Sequence, residues 1–376
     1  DHYLGSIKER IASFMKELNV ELWKLGVAAK TQHNEAAPAH YELAPIYATA
    51  NIAQDHNQLI METMKKVANR HGLACLLHEK PFAGVNGSGK HNNWSLMTNT
   101  GKNLLDPGKT PHENMQFLLF FSAVLKAVDL HADLLRVSAA TPGNDLRLGG
   151  NEAPPAIISV FIGEQLQDVI TQLIETGEAR NCKRGEKLNV GVQTLPKLSK
   201  DATDRNRTSP FAFTGNKFEF RMVASSASIG TANTVLNTIV ADVLCEMADE
   251  LEQATDFNQA VQDLIKKTFT EHQRIIFNGN GYSEEWVKEA ERRGLSNLKT
   301  TPEALPAFIQ PKNVAMFTRH QVFTEHEIHS RYDILLENYS KTINIEALTM
   351  IDMVNKQVIP AVFDYQRELA ELILHK

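Results

Sequence analysis

Glu79-Lys80-Pro81-Phe82-Ala83-Gly84-Val85-Asn86-Gly87-Ser88-Gly89-Lys90-His91-Asn92-Asn93-Trp94-Ser95 is the stretch on which the fold turns. Gly84, Gly89 and Lys90 stand at the G-x-x-x-x-G-K spacing of a phosphate-binding P-loop, but His91 occupies the place of the Ser or Thr that ligates Mg²⁺. A P-loop must also open into a helix. Here His91, Asn93 and Ser95 alternate with Asn92 and Trp94, the two-residue period of a strand with one polar face. The segment therefore reads as a glycine-rich loop, able to turn backbone N–H groups toward a phosphate or carboxylate, that leads into a metal-binding strand.

Upstream, Ile7, Ile11, Phe14, Leu18, Leu22 and Leu25 recur at helical spacing over Ser6 to Leu25, and Ile52 to Arg70 reads as a second helix ended by Gly72. Between them, Gln32-His33-Asn34-Glu35-Ala36-Ala37-Pro38-Ala39-His40-Tyr41-Glu42 carries two carboxylates, with Pro38 opposing a helix interior. A turn near Pro38 brings Glu35 and Glu42 together across a strand-turn-strand. Carboxylates held close repel unless a cation lies between them, so Mg²⁺ or Mn²⁺ is the natural companion. Without such a turn they are two solvated glutamates on a loop.

Downstream, short strands are expected near Leu73 to His78, His91 to Met97, Ala156 to Ile162 and Asn216 to Val223. His112 to Val137 reads as one long apolar helix, Thr141 to Pro155 as a loop, and a helix runs on to Thr176. A charged, hairpin-like region is centred on Arg184 to Gln193. Lys217-Phe218-Glu219-Phe220-Arg221-Met222 alternates cleanly, so Phe218, Phe220 and Met222 share a core face while Lys217, Glu219 and Arg221 share the other. That second face meets water on an ordinary sheet; around a site it supplies a carboxylate flanked by cations. Asp204-Arg205-Asn206-Arg207-Thr208-Ser209-Pro210 is either a solvated basic turn or a clamp on phosphates, and Asn144 to Pro155 either a connector or a lid. From Ile229 onward the chain reads as helical, with breaks at Asn278 to Tyr282, Gly294 to Ser296 and Pro302 to Pro311. His320, His326 and His329 with Glu325 and Glu327 lie on a polar helix face without an H-E-x-x-H pattern and are read as solvated. Met350, Met353 and Phe363 are read as core or subunit contacts.

Composition bounds the class. The chain has 376 residues, 43% hydrophobic and 22% charged, with a net charge of −6, which speaks against non-specific nucleic-acid binding. Cys75, Cys182 and Cys245 form no zinc or disulfide spacing, pointing to a cytoplasmic setting, and no apolar run or signal peptide indicates a membrane route. The chain starts at Asp1 and is expected to be a piece of a longer polypeptide.

In this order, the motifs resemble the catalytic domain of glutamine synthetase, most closely its long type III form. The resemblance rests on Asn34-Glu35 to Pro45, Asn86-Gly87-Ser88-Gly89-Lys90-His91, Arg147 to Pro155, Asn206-Arg207-Thr208-Ser209-Pro210 and Asn216 to Arg221. It implies an α+β fold: a curved, mainly antiparallel sheet cupping the site with helices outside (residues 1–253), followed by a helical C-terminal section (residues 254–376). It implies an ATP-dependent ligase that joins ammonia to the side-chain carboxylate of L-glutamate through a γ-glutamyl phosphate. Glu35 and Glu42 would ligate the metal beside the substrate glutamate, and His91 and Glu219 the metal that bridges the phosphates of ATP, each Mg²⁺ or Mn²⁺. Asn86, Gly87, Arg147 and Arg221 would bind glutamate. Tyr47, Asn93, Ser95, Arg207 and Lys217 would face ATP, and Glu152, with Arg147 and Arg207, would act in catalysis. A homo-oligomer of stacked hexameric rings, a dodecamer with active sites between subunits, is implied as well.

The sequence also departs from the family pattern. An upstream E-x-E carboxylate pair and the aspartate that deprotonates ammonium find no match, so the chain alone is expected to be inert. Lys217 stands where many relatives carry Arg, Phe211-Ala212-Phe213 occupies the stretch of a further phosphate-facing arginine, and no adenylylation tyrosine motif is found. A ligase acting on a different amine and a non-catalytic regulatory relative remain the alternatives.

Overall fold

The computed structural model describes residues 5–181, 187–188, 198–199 and 208–375. The strand-turn-strand forms as the proline predicted: β1 (Ala29–Asn34) and β2 (Tyr41–Pro45) pair antiparallel, with His33 opposite Glu42. The turn is closed by Ala39 in the left-handed region (φ +53°) and by the Glu35 N–H donating to the His40 carbonyl at 2.8 Å. This hairpin rests on a small apolar cluster. Helices α1 (Glu9–Lys24) and α2 (Ala50–Arg70) bury Leu18 and Leu22 against Ile60 and Val67, and Leu43 of β2 packs on them.

The main sheet has four strands in the order β3 (Gly89–Trp94), β8 (Phe218–Ala224), β7 (Phe211–Phe213) and β4 (Val160–Phe161). The β3–β8 and β8–β7 pairings are antiparallel, while β7–β4 is parallel. Two short strands, β5 (Lys187–Leu188) and β6 (Leu198–Ser199), pair separately; the rest of the Arg184 to Gln193 region lies outside the described residues. One face of the sheet is apolar by alternation: Phe218 stacks on Phe121 (centroids 5.4 Å) and on Phe211 (5.0 Å), with Phe213 edge-on. Phe121 belongs to α3 (Met115–Leu130), which α7 (Gly230–Glu252) and α8 (Phe257–His272) flank. A single buried cluster runs from Trp94 to Ile328, across the boundary expected at residue 253.

Several local expectations need correction. Leu73 to His78 is extended, with burial alternating residue by residue, yet it joins no ladder; Ser225 Oγ bonds the Leu77 carbonyl instead. Only Val160–Phe161 of the expected Ala156–Ile162 strand is in the sheet, followed by α6 (Gly163–Thr176). The long apolar helix is two, α3 and α4 (Ala132–Val137), because His131 leaves helical geometry (φ −125°, ψ 28°) to meet Asn313. The expected loop at Thr141 begins with α5 (Pro142–Arg147), whose Thr141 hydroxyl caps the Asn144 N–H at 3.2 Å.

After α9 (Glu284–Arg292), Pro302 to Pro311 is not a plain break, since proline suits a first turn. It holds α10 (Thr301–Ala304) and a 3₁₀ segment Leu305–Ile309, leading into α11 (Pro311–Arg319). Glu327 closes a capping box with Thr324 at the start of α12 (Glu325–Met353), and His320 pairs with Asp242 at 2.7 Å. A π segment, Val354–Val358, joins α12 to α13 (Ile359–Leu374). Met350, Met353 and Phe363 are exposed at 63%, 49% and 64%, so they add nothing to the core, which α12 reaches only through its first turns around buried Ile328. No helix among the described residues is long and apolar enough to cross a membrane.

His131 also gives a pH signature. Burial lowers its pKa, against the hydrogen bond that its Nδ1 donates to Asn313 Oδ1 at 2.9 Å, which raises it. Below about pH 6.5 the unfolded chain takes up this proton and the folded chain resists it, so stability falls as pH drops and is fully present above pH 6.5. His131→Gln is expected to flatten the slope of unfolding free energy below about pH 6.5, measured by urea titration; an unchanged slope would contradict this.

Candidate active site

The β1–β2 hairpin delivers a cluster of potential ligands. His33 Nε2 lies 2.7 Å from Glu35 Oε1 and 3.4 Å from Glu42 Oε2, and one ligand atom from each of the three falls within 4.8 Å of the others. Burial raises the pKa of Glu42, a hydrogen bond shared with Glu35 raises it further, and the nearby His91 opposes both. Two carboxyls held this close suit a divalent cation between them. His40, burdened by burial that lowers its pKa, bonds Ser88 Oγ at 3.0 Å and ties the hairpin to the glycine loop.

The second element is the polar face of β3 and β8. From His91 on, the expected alternation holds: His91, Asn93 and Ser95 are exposed while Asn92 and Trp94 are buried. A bulge between Lys90 and Asn92 re-aims His91, whose Nδ1 lies 2.9 Å from Glu219 Oε1; Asn93 sits opposite Glu219 in register. The polar face of β8 does not meet water. Glu219 and Arg221 are 8% and 3% exposed, and Arg221 Nη2 bonds Glu219 Oε2 at 3.0 Å. Burial raises the Glu219 pKa, but His91 and Arg221 outweigh it and hold the carboxyl at about 2. Glu35 and Glu42 with His33 on the hairpin, and Glu219 with His91 on the β3–β8 face, each offer oxygen and imidazole donors that fit Mg²⁺ or Mn²⁺.

Arg147 is the third element. It is 5% exposed, donating to Asn144 Oδ1 at 3.0 Å and to the Arg221 carbonyl at 3.1 Å, and burial lowers its pKa to about 10 although Glu79 and Tyr282 pull it up. Among the described residues no carboxylate is in ion-pair contact with it. The glycines of the loop make room for this side chain. A Cβ on Gly89 would lie 2.0 Å from Arg147 Nη2, and one on Gly87 would lie 2.5 Å from the Glu79 carbonyl and 3.0 Å from Arg147 Cγ. Lys90, the P-loop-like lysine, donates to the carbonyls of Ser225 (2.7 Å) and Ala227, fastening β3 to the turn after β8. Gly89→Ala is expected to shift the melting temperature little, because it displaces the end of a flexible side chain. It should nonetheless weaken binding of an acidic substrate by about tenfold or more, read as KM.

Glu152 closes the arrangement from above: its Oε2 accepts from Asn86 Nδ2 at 3.0 Å. Ser95 bonds Asn103 Oδ1 at 2.7 Å and the Asn216 carbonyl at 3.2 Å, beside Lys217. Tyr47 is 85% exposed between β2 and α2, and no contact joins it to the other site residues. Arg207, with Asp204 to Asn206, lies outside the described residues. Sequence reading gave no role to His33, His40 or Glu79. His33 had a signal, two residues before Glu35 on the same strand face; Glu79 had none, and its carboxylate is buried against Ser226, whose N–H donates to it at 2.9 Å.

Comparison with known proteins agrees with this geometry. Residues 4–141 match the glutamine synthetase catalytic domain, and residues 260–376 match the glutamine synthetase C-terminal domain. Glutamine synthetase of Butyrivibrio fibrisolvens is 52% identical over 100% of this chain and 54% of its own length. The type-3 glutamine synthetase of Dictyostelium discoideum is 50% identical over 99% of this chain and 51% of its own length. The chain thus spans about half the length of the curated relatives it matches. Among solved structures, Plasmodium falciparum glutamine synthetase superposes with a TM-score of 0.60 at 14% identity, over 91% of this chain and 61% of that one. The GmaS/ADP complex gives 0.55 at 17% identity, over 91% and 64%, and both likenesses speak to the fold alone. With both family domains matched and relatives aligned along its whole length, the chain belongs to the glutamine synthetase family.

Proposed function

We propose that this chain is the catalytic part of a glutamine synthetase, which uses ATP to join ammonia to the side-chain carboxylate of L-glutamate. The observation that carries the reading is Arg147: a buried guanidinium with no contact carboxylate among the described residues, packed on a glycine loop beside a carboxylate and imidazole cluster. Such a group awaits an anionic ligand.

In this reading the glutamate side-chain oxygen attacks the γ-phosphorus of ATP, the bond to ADP breaks, and an acyl phosphate forms. Ammonia nitrogen then bonds to the acyl carbon as the carbon–oxygen bond to phosphate breaks, and the nitrogen sheds a proton. Arg147 and Arg221 grip glutamate's carboxylates, and Asn86 and Gly87 orient it. Arg207 and Lys217 meet the phosphates, Asn93, Ser95 and Tyr47 face the nucleotide, and Glu152 takes the proton and excludes water. Mg²⁺ or Mn²⁺ held by Glu35, Glu42, His91 and Glu219, with His33 beside them, would supply charge neutralisation of the transferring phosphoryl group. The division at 253 separates the residues that carry these roles from the helical remainder. The exposed apolar side chains of α12 and α13 favour a homo-oligomer of stacked rings, and the reaction belongs in the cytoplasm.

The test is phosphate release and glutamine formation by a polypeptide of the relatives' length containing this chain, with ATP, glutamate, ammonium and Mg²⁺. Release that requires both glutamate and ammonium supports the proposal. Another amine replacing ammonium far more effectively would transfer it to a different ligase, and tight ATP binding without turnover would make the chain regulatory.

A further inference from the structure

The break in the helical C-terminal region, Phe277 to Tyr282, reaches into the site. One end is anchored deeply. The Phe277 N–H donates to the Val160 carbonyl at 2.9 Å, Asn278 Oδ1 accepts from the N–H groups of Ile162 and Gly163 at 3.0 Å, and Phe277 stacks on buried Trp286 with centroids 3.7 Å apart. The other end touches two loops at once. The Gly281 N–H donates to Thr208 Oγ1 at 2.8 Å, and a Cβ at Gly281 would crowd the Thr208 carbonyl at 2.9 Å and Pro155 at 3.4 Å. Tyr282 Oη donates to the Ala153 carbonyl at 2.9 Å, one residue from Glu152.

That loop requires holding. Asn151 (φ +53°) and Glu152 (φ +67°) both sit in the left-handed region, which strains Glu152 more than Asn151. Internal bonds at Gly149 to Pro154 and Ala153 to Gly150 close the loop on itself, while Asn86 and Tyr282 fix where it lies. Burial and the Glu152 charge raise the Tyr282 pKa, and Arg147 and Arg221 oppose them, so the phenol lies within the field of the site.

We propose that Tyr282 is a positioning residue: its hydroxyl, braced from α6 and Trp286, holds the Glu152 loop closed against Asn86. For its chemical consequence this rests on the glutamine synthetase reading. When the loop opens, water bonds to the acyl carbon in place of ammonia, the carbon–oxygen bond to phosphate breaks, and glutamate is returned with phosphate released.

Tyr282→Phe removes only the hydroxyl. In the polypeptide of the relatives' length, phosphate released per glutamine formed is expected to rise about two- to tenfold, the range of one lost hydrogen bond, with KM for ammonium raised and KM for glutamate unchanged. In the 376-residue chain itself, amide exchange across residues 149–153 should quicken by the same factor, independent of turnover. Wild-type exchange at this loop overturns the proposal, as does wild-type coupling in Tyr282→Phe when Glu152→Ala is uncoupled. If Glu152→Ala stays coupled, the role given to Glu152 fails, whereas faster exchange in Tyr282→Phe still upholds the brace.

Discussion

Arg147→Met is expected to abolish productive use of glutamate while leaving the fold almost as stable as before. The guanidinium is 5% exposed, and burial has already lowered its pKa to about 10. Removing it relieves the cost of burying a charge without a contact anion, an effect of several kcal/mol. It also leaves Asn144 Oδ1 and the Arg221 carbonyl without one donor each, about 1–3 kcal/mol apiece. The two effects are of similar size and opposite sign. Met fills much of the same volume, so the urea midpoint should move little. Loss of a desolvated charge pair with a substrate carboxylate costs about 2–5 kcal/mol, or roughly 30- to 5000-fold in kcat/KM. A variant with wild-type KM for glutamate would remove Arg147 from the site.

Arg221→Met should behave in the opposite way, although the residue is equally buried. Its guanidinium is in contact with Glu219, whose carboxylate is 8% exposed and backs onto the aromatic layer of the sheet. Without Arg221 that carboxylate keeps, among the described residues, His91 as its ion-pair partner. Stranding one member of a buried pair costs about 3–5 kcal/mol, enough to lower the urea midpoint of this chain markedly. Adding Glu219→Gln removes the stranded charge and should recover part of the loss. Equal stability of Arg221→Met and wild type would mean that the pair is solvated. The two variants thus differ in folding: Arg147→Met is expected to cost binding alone, and Arg221→Met to cost stability as well.

Local chemistry made some of this legible. Pro38 ruled out a helix and brought Glu35 and Glu42 together, and alternation from Phe218 to Met222 assigned the core face and the site face of β8 correctly. What alternation could not reveal is that the polar face is covered, because Arg147 and Ser209 arrive from other parts of the chain. The glycines at 87 and 89 were readable as places of close approach, but not that an arginine about sixty residues away fills the space. The helix break at His131 carries no Gly or Pro; it arises from a hydrogen bond to Asn313, 182 residues later. Tyr282 looked like part of a helix break, and its contact with Ala153 exists only in three dimensions.

Binding of Mn²⁺ to the chain, followed by loss of the free-ion signal in electron paramagnetic resonance, tests the central proposal that the β1–β2 hairpin and the β3–β8 face each hold a divalent cation. Wild type is expected to bind, with Glu42→Gln and Glu219→Gln each weakening binding at least about tenfold and His326→Gln leaving it unchanged. Equal Mn²⁺ binding by wild type and both glutamine variants would contradict the account.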